Sequence, residues 1–218
     1  VSSIHAVEDL PKNQIITEPH VFDSKRVHGA YAKSKAEATK LVLSSGLNAV
    51  VVLPTGIIGP NEYKESHLGQ MVRDFASRHL RAYIDGEYNF VDVRDVADGM
   101  IAAAERGHAG ECYILSGERA TVLQMFQILQ DATGVHAPKV KLPVVLAKLT
   151  APLAECYYRI LKKPPLFTPQ SIATLRSNCN ISNSKARREL GFSPRSVSES
   201  LHDAVLWLKT QNRVKIVV

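Results

Sequence analysis

The chain has 218 residues, 45% of them hydrophobic, and a net charge of +6, which is enough for one globular core with room for a small second lobe. The basic residues lie in small groups without interleaved aromatic residues, and no run of about 18 apolar residues occurs, so we predict neither a nucleic-acid partner nor a membrane span. The three cysteines form no CxxC pair, and the eight histidines show no HxxxH or HExxH spacing. These patterns predict free thiols in a reducing, cytoplasmic compartment and no metal site.

The chain opens with a pattern typical of the end of a buried strand, and this pattern includes Ser2 and Ser3. Hydroxyl side chains just past a strand of a parallel sheet are well placed to bind a ligand, because the crevices of α/β proteins open at that edge. Residues 7–28 are mixed and polar and contain Pro11 and Pro19. They predict a long surface loop, and loops of this length often cover or shape a site.

Residues 30–45 are rich in Ala, Lys and Glu and precede Gly46, which predicts a helix that ends there. This helix places Tyr31 and Lys35 one turn apart on one face. A nearby ammonium favours the phenolate form of a tyrosine, so the pair can act as a general acid/base in hydride-transfer chemistry. Tyr158 and Lys162 have the same spacing, but no strand-end loop or hydroxyl residue accompanies them, and we interpret them as a packed tyrosine and a solvated cation.

An apolar, β-branched run at residues 47–53 predicts a strand that is buried on both faces, as in a parallel sheet. A helix followed by a buried strand indicates an alternating α/β fold. Two glycines and two prolines within residues 54–60 predict a tight loop at the carboxyl end of this strand, where a ligand can approach the backbone.

The remaining residues alternate between helical and strand patterns. Asp95 and Thr121 are the predicted N-caps of the helices at 96–106 and 122–133. Further helices are predicted at 66–80, 144–161, 168–176, 184–190 and 198–211, and strands at 83–84, 90–93, 111–116 and 139–142.

Five segments, in order along the chain, resemble the extended short-chain dehydrogenase/reductase superfamily, in particular its dihydroflavonol-4-reductase-like branch of NAD(P)-dependent epimerases and reductases. They are Val1-Ser2-Ser3, Gly29-Ala30-Tyr31-Ala32-Lys33-Ser34-Lys35-Ala36-Glu37, Leu53-Pro54-Thr55-Gly56-Ile57-Ile58-Gly59-Pro60, Asn89-Phe90-Val91-Asp92-Val93-Arg94-Asp95-Val96-Ala97 and Ser184-Lys185-Ala186-Arg187-Arg188-Glu189-Leu190-Gly191-Phe192.

The resemblance implies a partial Rossmann-like, doubly wound parallel sheet with a small mixed α/β substrate lobe. The sheet and helix core would comprise about residues 1–60 and 88–107, the substrate lobe about 61–87 and 111–180, and C-terminal helices about 181–218. The family's glycine-rich turn for the dinucleotide pyrophosphate, GxxGxxG or GxGxxG, does not occur in the sequence. We therefore expect the C-terminal part of a longer protein that lacks the N-terminal glycine-rich half, and we expect this part alone to bind cofactor poorly and to be inactive.

The resemblance also implies roles for individual residues. Tyr31 would be the catalytic acid/base, Lys35 would hold the nicotinamide ribose of NAD or NADP, and Ser3, rather than Ser2, would hydrogen-bond the substrate. The nicotinamide pocket would be lined by the backbone of Pro54, Thr55, Gly56 and Ile57. His28 and Asn61 are further candidates for substrate contact, and Phe90, Asp92 and Asp95 would tie the small lobe to the sheet.

These roles describe an oxidoreductase, a monomer or homodimer, that reduces a small-molecule carbonyl or oxidises an alcohol by hydride transfer at nicotinamide C4. A sugar-nucleotide epimerase or dehydratase with retained NAD is the alternative within the superfamily, although the loop at residues 54–60 is more similar to the reductase branch. A non-catalytic, cofactor-sensing binding protein is a third hypothesis, and the presence of Ser3, Tyr31 and Lys35 together argues against it.

Overall fold

The computed structural model describes residues 1–64, 66–145 and 169–214 and confirms the α/β class. The chain forms two compact units. The first comprises Val1–Ile57, Asn89–Arg119 and Asn178–Ser196, and the second comprises Ile58–Tyr88, Ala120–Ser177 and Val197–Val218. The Tyr158–Lys162 pair and most of the predicted helix at 144–161 lie outside the described residues.

The first unit is built on two parallel strands, β1 (Val51–Pro54) and β5 (Cys112–Leu115), which pair from Val51 opposite Cys112 to Pro54 opposite Leu115. Both strands are buried throughout, and the prediction of a buried strand at 47–53 holds for Val51, Val52 and Leu53, whereas residues 47–50 lie before β1 and Leu47 is 70% exposed. Helices α1 (Ala30–Leu43), α3 (Val93–Arg106) and α6 (Ser184–Leu190) belong to the same unit. Its core joins residues of both strands, of the segment just before α3, of α3, of α6 and of the loop after α6, namely Val52, Val91, Val96, Ala102, Ala103, Tyr113, Leu115, Ala186, Leu190 and Phe192.

The first residues of the chain form a 3-10 helix, Ile4–Ala6, where the sequence predicted the end of a strand. Ser2 still lies beside β1, because its backbone N–H donates to the Val52 carbonyl at 2.9 Å. Ser3 then caps the 3-10 helix, since its hydroxyl accepts from the backbone N–H of His5. This local cap turns the chain away from the sheet directly after the two serines.

The two units have other boundaries than the predicted sheet core and substrate lobe. Residues 111–119 and 178–196 belong to the first unit, which contains β1 and β5. Parallel pairing places β5 beside β1, and side chains from 178–196 then bind the β5 backbone. The Lys185 ammonium donates to the Cys112 carbonyl at 2.9 Å, and the Asn183 amide donates to the Ser116 carbonyl at 2.6 Å.

Helix α3 begins at Val93, three residues earlier than predicted, and its N-cap is Asp92 instead of Asp95. The Asp92 carboxylate accepts from the Arg94 backbone N–H at 2.8 Å and pairs with the Arg94 and Arg195 guanidinium groups. Asp95, in the first turn, accepts from the Arg195 backbone N–H at 2.8 Å. Both carboxylates therefore hold α3 to Arg195 of the same unit.

In the second unit, helix α4 (Val122–Thr133) packs against α2 (His67–Ala76) and α7 (Val197–Thr210). The Phe75 and Phe126 rings stack with centroids 5.4 Å apart. Strands β3 (Ala82–Ile84) and β7 (Val140–Leu142) form a parallel pair, and α5 spans Pro169–Thr174. The predicted cap of α4 is confirmed, since Thr121 and Gln124 form a reciprocal capping box and the helix ends at Gly134.

Three further strands, β2 (Gly56–Ile58), β4 (Glu87–Asp92) and β6 (Glu118–Thr121), form a sheet in the order β2-β4-β6. The prediction of a loop at 54–60 was therefore wrong for Gly56, Ile57 and Ile58, and Pro54 is the last residue of β1. Strand β6 was not predicted, because its short sequence begins with two exposed charged residues. Within the described ranges no helix is long and apolar enough to cross a bilayer.

Candidate active site

The predicted pair lies on α1, which begins after Gly29, a residue whose φ of 91° suits glycine. Ala32, Ala36 and Thr39 form the buried row of this helix, which packs against the 3-10 helix. Tyr31 is 57% exposed. The Lys35 ammonium lies 5.9 Å from the centroid of the Tyr31 ring. The structure thus places the two side chains next to each other at the border of the buried row.

Ser3 is buried and belongs to the same unit as this pair. Its hydroxyl accepts from the His5 backbone N–H at 3.3 Å, and the His5 ring meets the Tyr31 ring edge-on at a centroid distance of 6.2 Å. His5 therefore contacts both Ser3 and Tyr31. No sequence pattern pointed to His5, since its only signal was its position two residues after Ser3.

Burial lowers the pKa of His5 below its ordinary value, while the nearby Asp9 carboxylate acts in the opposite direction. The net direction keeps the imidazole neutral at neutral pH. In this form it adds no second positive charge beside Tyr31 and Lys35.

Residues 54–57 lie at the carboxyl end of β1, directly after the part of the strand to which Ser2 is bound through Val52. Pro54 and Thr55 are buried, and the Thr55 backbone N–H donates to the Leu115 carbonyl at 3.2 Å. The Thr55 hydroxyl donates to Oδ1 of Asn89 at 2.9 Å, and the same oxygen accepts from the Gly117 N–H at 3.1 Å. Asn89 thus supports this edge of the sheet, a role that its place in the resemblance did not reveal.

The structure places Tyr31 and Lys35 side by side, connects Ser3 to Tyr31 through His5, and puts residues 54–57 in the same unit as these three residues. His28 is exposed, in the loop that leads into α1. Asn61 belongs to the second unit, where it adopts a left-handed backbone conformation with φ 67°. The roles proposed for these residues stay predictions.

The polar groups of the pair are open to a ligand. Among the described residues, the Tyr31 hydroxyl has no hydrogen-bond partner, and the Lys35 ammonium reaches only the Val1 carbonyl, at 3.5 Å. A free phenol beside an unpaired ammonium can exchange a proton with one ligand group and hold another by hydrogen bonds. Both groups therefore fit the hydroxyls of a bound nucleotide ribose.

The buried parallel strands and the helices of the same unit define an α/β protein of the Rossmann-like class. The model of the NAD dependent epimerase/dehydratase family matches residues 1–115, more than half of the chain, and the chain belongs to this family. The predicted membership of the extended short-chain dehydrogenase/reductase superfamily is confirmed, as is NAD(P) as the family's cofactor class.

Two curated proteins illustrate the relationship. The chain is 32% identical to "Sterol demethylase protein B" of Methylococcus capsulatus over 191 residues, which cover 84% of the chain and 58% of that protein. It is 30% identical to the "Putative dihydroflavonol 4-reductase" of Synechocystis sp. over 221 residues, covering 98% of the chain and 64% of that protein. The chain thus spans about three fifths of the length of these relatives.

The fold also matches a solved structure. The crystal structure of gox2253 superposes with a TM-score of 0.79 and 32% sequence identity. The match covers 98% of this chain and 66% of the other. A Rossmann-like fold is therefore common to the two proteins.

Proposed function

We propose that the protein carrying this chain is an NAD(P)-dependent oxidoreductase that reduces a small-molecule carbonyl or oxidises the corresponding alcohol. The observation that carries the proposal is the contact between Lys35 and Tyr31, with the Tyr31 hydroxyl unpaired among the described residues and His5 contacting both Ser3 and Tyr31. Family membership supports it, and so does the reductase name of one relative.

In the proposed reaction, Tyr31 gives a proton to the carbonyl oxygen during reduction or takes it from the alcohol during oxidation. The buried Ser3 hydroxyl holds the substrate oxygen. The nicotinamide, when bound, supplies or accepts the hydride.

The residues present suit one end of a dinucleotide. Lys35 and Tyr31 would hold the nicotinamide ribose, and the backbone of Pro54, Thr55, Gly56 and Ile57 would line the nicotinamide pocket. The chain contains no glycine-rich motif for the pyrophosphate, so the proposal assigns it no residue for that group.

We also propose where the protein is located and in which oligomeric state it works. Cys112 and Cys179 are buried, which fits buried thiols in the proposed reducing, cytoplasmic location. We also propose a monomer or homodimer as the working form.

The test uses NAD(P)H absorbance with a panel of aldehydes and ketones. We expect Tyr31→Phe to lower turnover by about 10²–10⁴-fold, the contribution typical of a general acid/base. Lys35→Met should lower kcat and raise the KM for NAD(P)H. Lys33→Met is the matched control, because Lys33 is exposed on the same helix, two residues away from Lys35 and therefore on a different face.

Two outcomes would redirect the proposal. Substrate conversion without net consumption of NAD(P)H would favour a sugar-nucleotide epimerase or dehydratase with retained NAD, a function that the family's description also covers. A protein without turnover whose Tyr31→Phe variant keeps the ligand response unchanged would favour the non-catalytic, cofactor-sensing protein.

A further inference from the structure

A buried series of hydrogen bonds joins Ser2 to the middle of α1. The hydroxyls of Ser2 and Thr39 lie 2.6 Å apart, and the Thr39 hydroxyl donates to the Lys35 carbonyl at 2.7 Å. A carbonyl can only accept, so the single hydroxyl proton of Thr39 goes to Lys35. The proton in the Ser2–Thr39 bond must therefore come from the Ser2 hydroxyl. The hydrogen bonds thus run from Ser2 through Thr39 to the Lys35 carbonyl.

Both ends of this series of hydrogen bonds connect to residues of the proposed site. Ser2 is bound to the sheet through its backbone, which donates to Val52 at 2.9 Å, and it directly precedes Ser3. Lys35 is held at its carbonyl by Thr39, while its ammonium reaches the Val1 carbonyl at 3.5 Å. Thr39 thus links the serine segment, Ser2 and Ser3, to the helix that carries Tyr31 and Lys35.

We propose that Thr39 is a positioning residue, which holds the Tyr31–Lys35 helix in register with Ser3. The inference rests on the proposed function, since positioning matters only if these residues act together. Thr39 and Ser2 are buried, so water does not compete well for their bond. A shift of about 1 Å between reacting groups can cost about 10²-fold in rate, so a rigid link at this point affects turnover.

The chain contains a matched control for this threonine. Thr133 in α4 is also 3% exposed, and its hydroxyl likewise donates one turn back, to the Leu129 carbonyl at 2.6 Å. It belongs to the second unit and makes no bond to the serine segment. Thr39→Val and Thr133→Val therefore remove the same kind of helix bond. Thr133→Val also removes the acceptor of the Val135 backbone N–H, at 3.2 Å, but only Thr39→Val removes a link to Ser2.

The experiment measures kcat at saturating NAD(P)H and substrate, together with the melting temperature, for the intact protein. We expect Thr39→Val to lower kcat about 10- to 100-fold, and Thr39→Ser, which keeps the hydroxyl, to restore it to within about threefold of wild type. Thr133→Val should lower the melting temperature and leave kcat unchanged. Ser2→Ala should reproduce the loss, and the double variant Ser2→Ala/Thr39→Val should be no slower than the slower single variant.

A second measurement does not depend on turnover. The aromatic NMR signal of Tyr31, assigned by its loss in Tyr31→Phe, should shift in Thr39→Val and stay unchanged in Thr133→Val. If Thr39→Val keeps both kcat and the Tyr31 signal while its melting temperature falls, Thr39 is only structural and the inference is overturned. If Tyr31→Phe keeps full turnover, the proposed function fails instead, and the Tyr31 signal still decides whether Thr39 positions the helix.

Discussion

Replacing Asn89 by alanine tests how the carboxyl edge of the sheet is held. Asn89 is 3% exposed, and its Oδ1 accepts from both the Thr55 hydroxyl and the Gly117 backbone N–H. Its amide also donates to the Gly117 carbonyl, at the longer distance of 3.4 Å. Alanine removes the shared acceptor and leaves two donors without their partner.

The expected loss follows from the burial of these donors. A buried donor without a partner costs about 1–3 kcal/mol. Thr55 is buried, whereas Gly117 is half-buried and water can reach it more easily. The cost of leaving the Gly117 N–H without its partner therefore lies at the low end of this range. We therefore expect Asn89→Ala to lower the free energy of unfolding by about 2–4 kcal/mol. In a chain of this size that corresponds to a melting temperature lower by about 5–15 °C.

Urea and thermal unfolding followed by circular dichroism provide the measurement. Thr55→Val removes only one donor and leaves Asn89 bound to Gly117, so we expect the smaller loss of about 0.5–1.5 kcal/mol. Asn13→Ala, at an exposed asparagine, is the control and should stay within about 0.5 kcal/mol of wild type. If Asn89→Ala is no less stable than Asn13→Ala, Asn89 does not hold this edge.

Two further predictions concern single side chains. Burial raises the pKa of the Cys112 thiol from its usual 9.0 to about 11, against the opposing effect of Lys185, so the folded thiol keeps its proton where the unfolded one has lost it. Stability should therefore fall between about pH 9 and 11, and this part of the pH dependence should be absent in Cys112→Val; an identical slope in the variant would contradict it. Trp207 is the only tryptophan of the chain, and the Arg213 guanidinium lies 5.2 Å from its ring while donating to the Glu62 carbonyl at 2.9 Å. Arg213→Ala should shift Trp207 fluorescence to longer wavelength, whereas an unchanged spectrum would show that the contact does not persist in solution.

Helices were the most predictable part of the fold, because their signals are local. α1, α4 and α6 lie within a few residues of their predicted bounds, and α4 and α6 end at Gly134 and Gly191, which adopt the left-handed conformation. Thr121 caps α4 through contacts within four residues, so periodicity and cap chemistry suffice to predict it.

Strands and caps that depend on distant partners were less predictable. The cap of α3 is an example, since Asp92 and Asp95 were both chemically suitable and Asp92 holds the N-cap while also contacting Arg195. Strand β6 carries too few apolar residues to show a period, and its pairing with β4 defines it.

In the candidate site, too, some features follow from local sequence and others depend on distant partners. The sequence alone determined that Tyr31 and Lys35 share one helix face and that the chain resembles its superfamily, because a spacing of four residues places side chains together in any α-helix. Only the tertiary structure decided that the His5 ring meets Tyr31 and that Ser2 binds Thr39, a residue 37 positions away. The reason is physical, since these contacts exist only when α1 packs against the chain's first residues, and no local pattern specifies which buried hydroxyls will then meet.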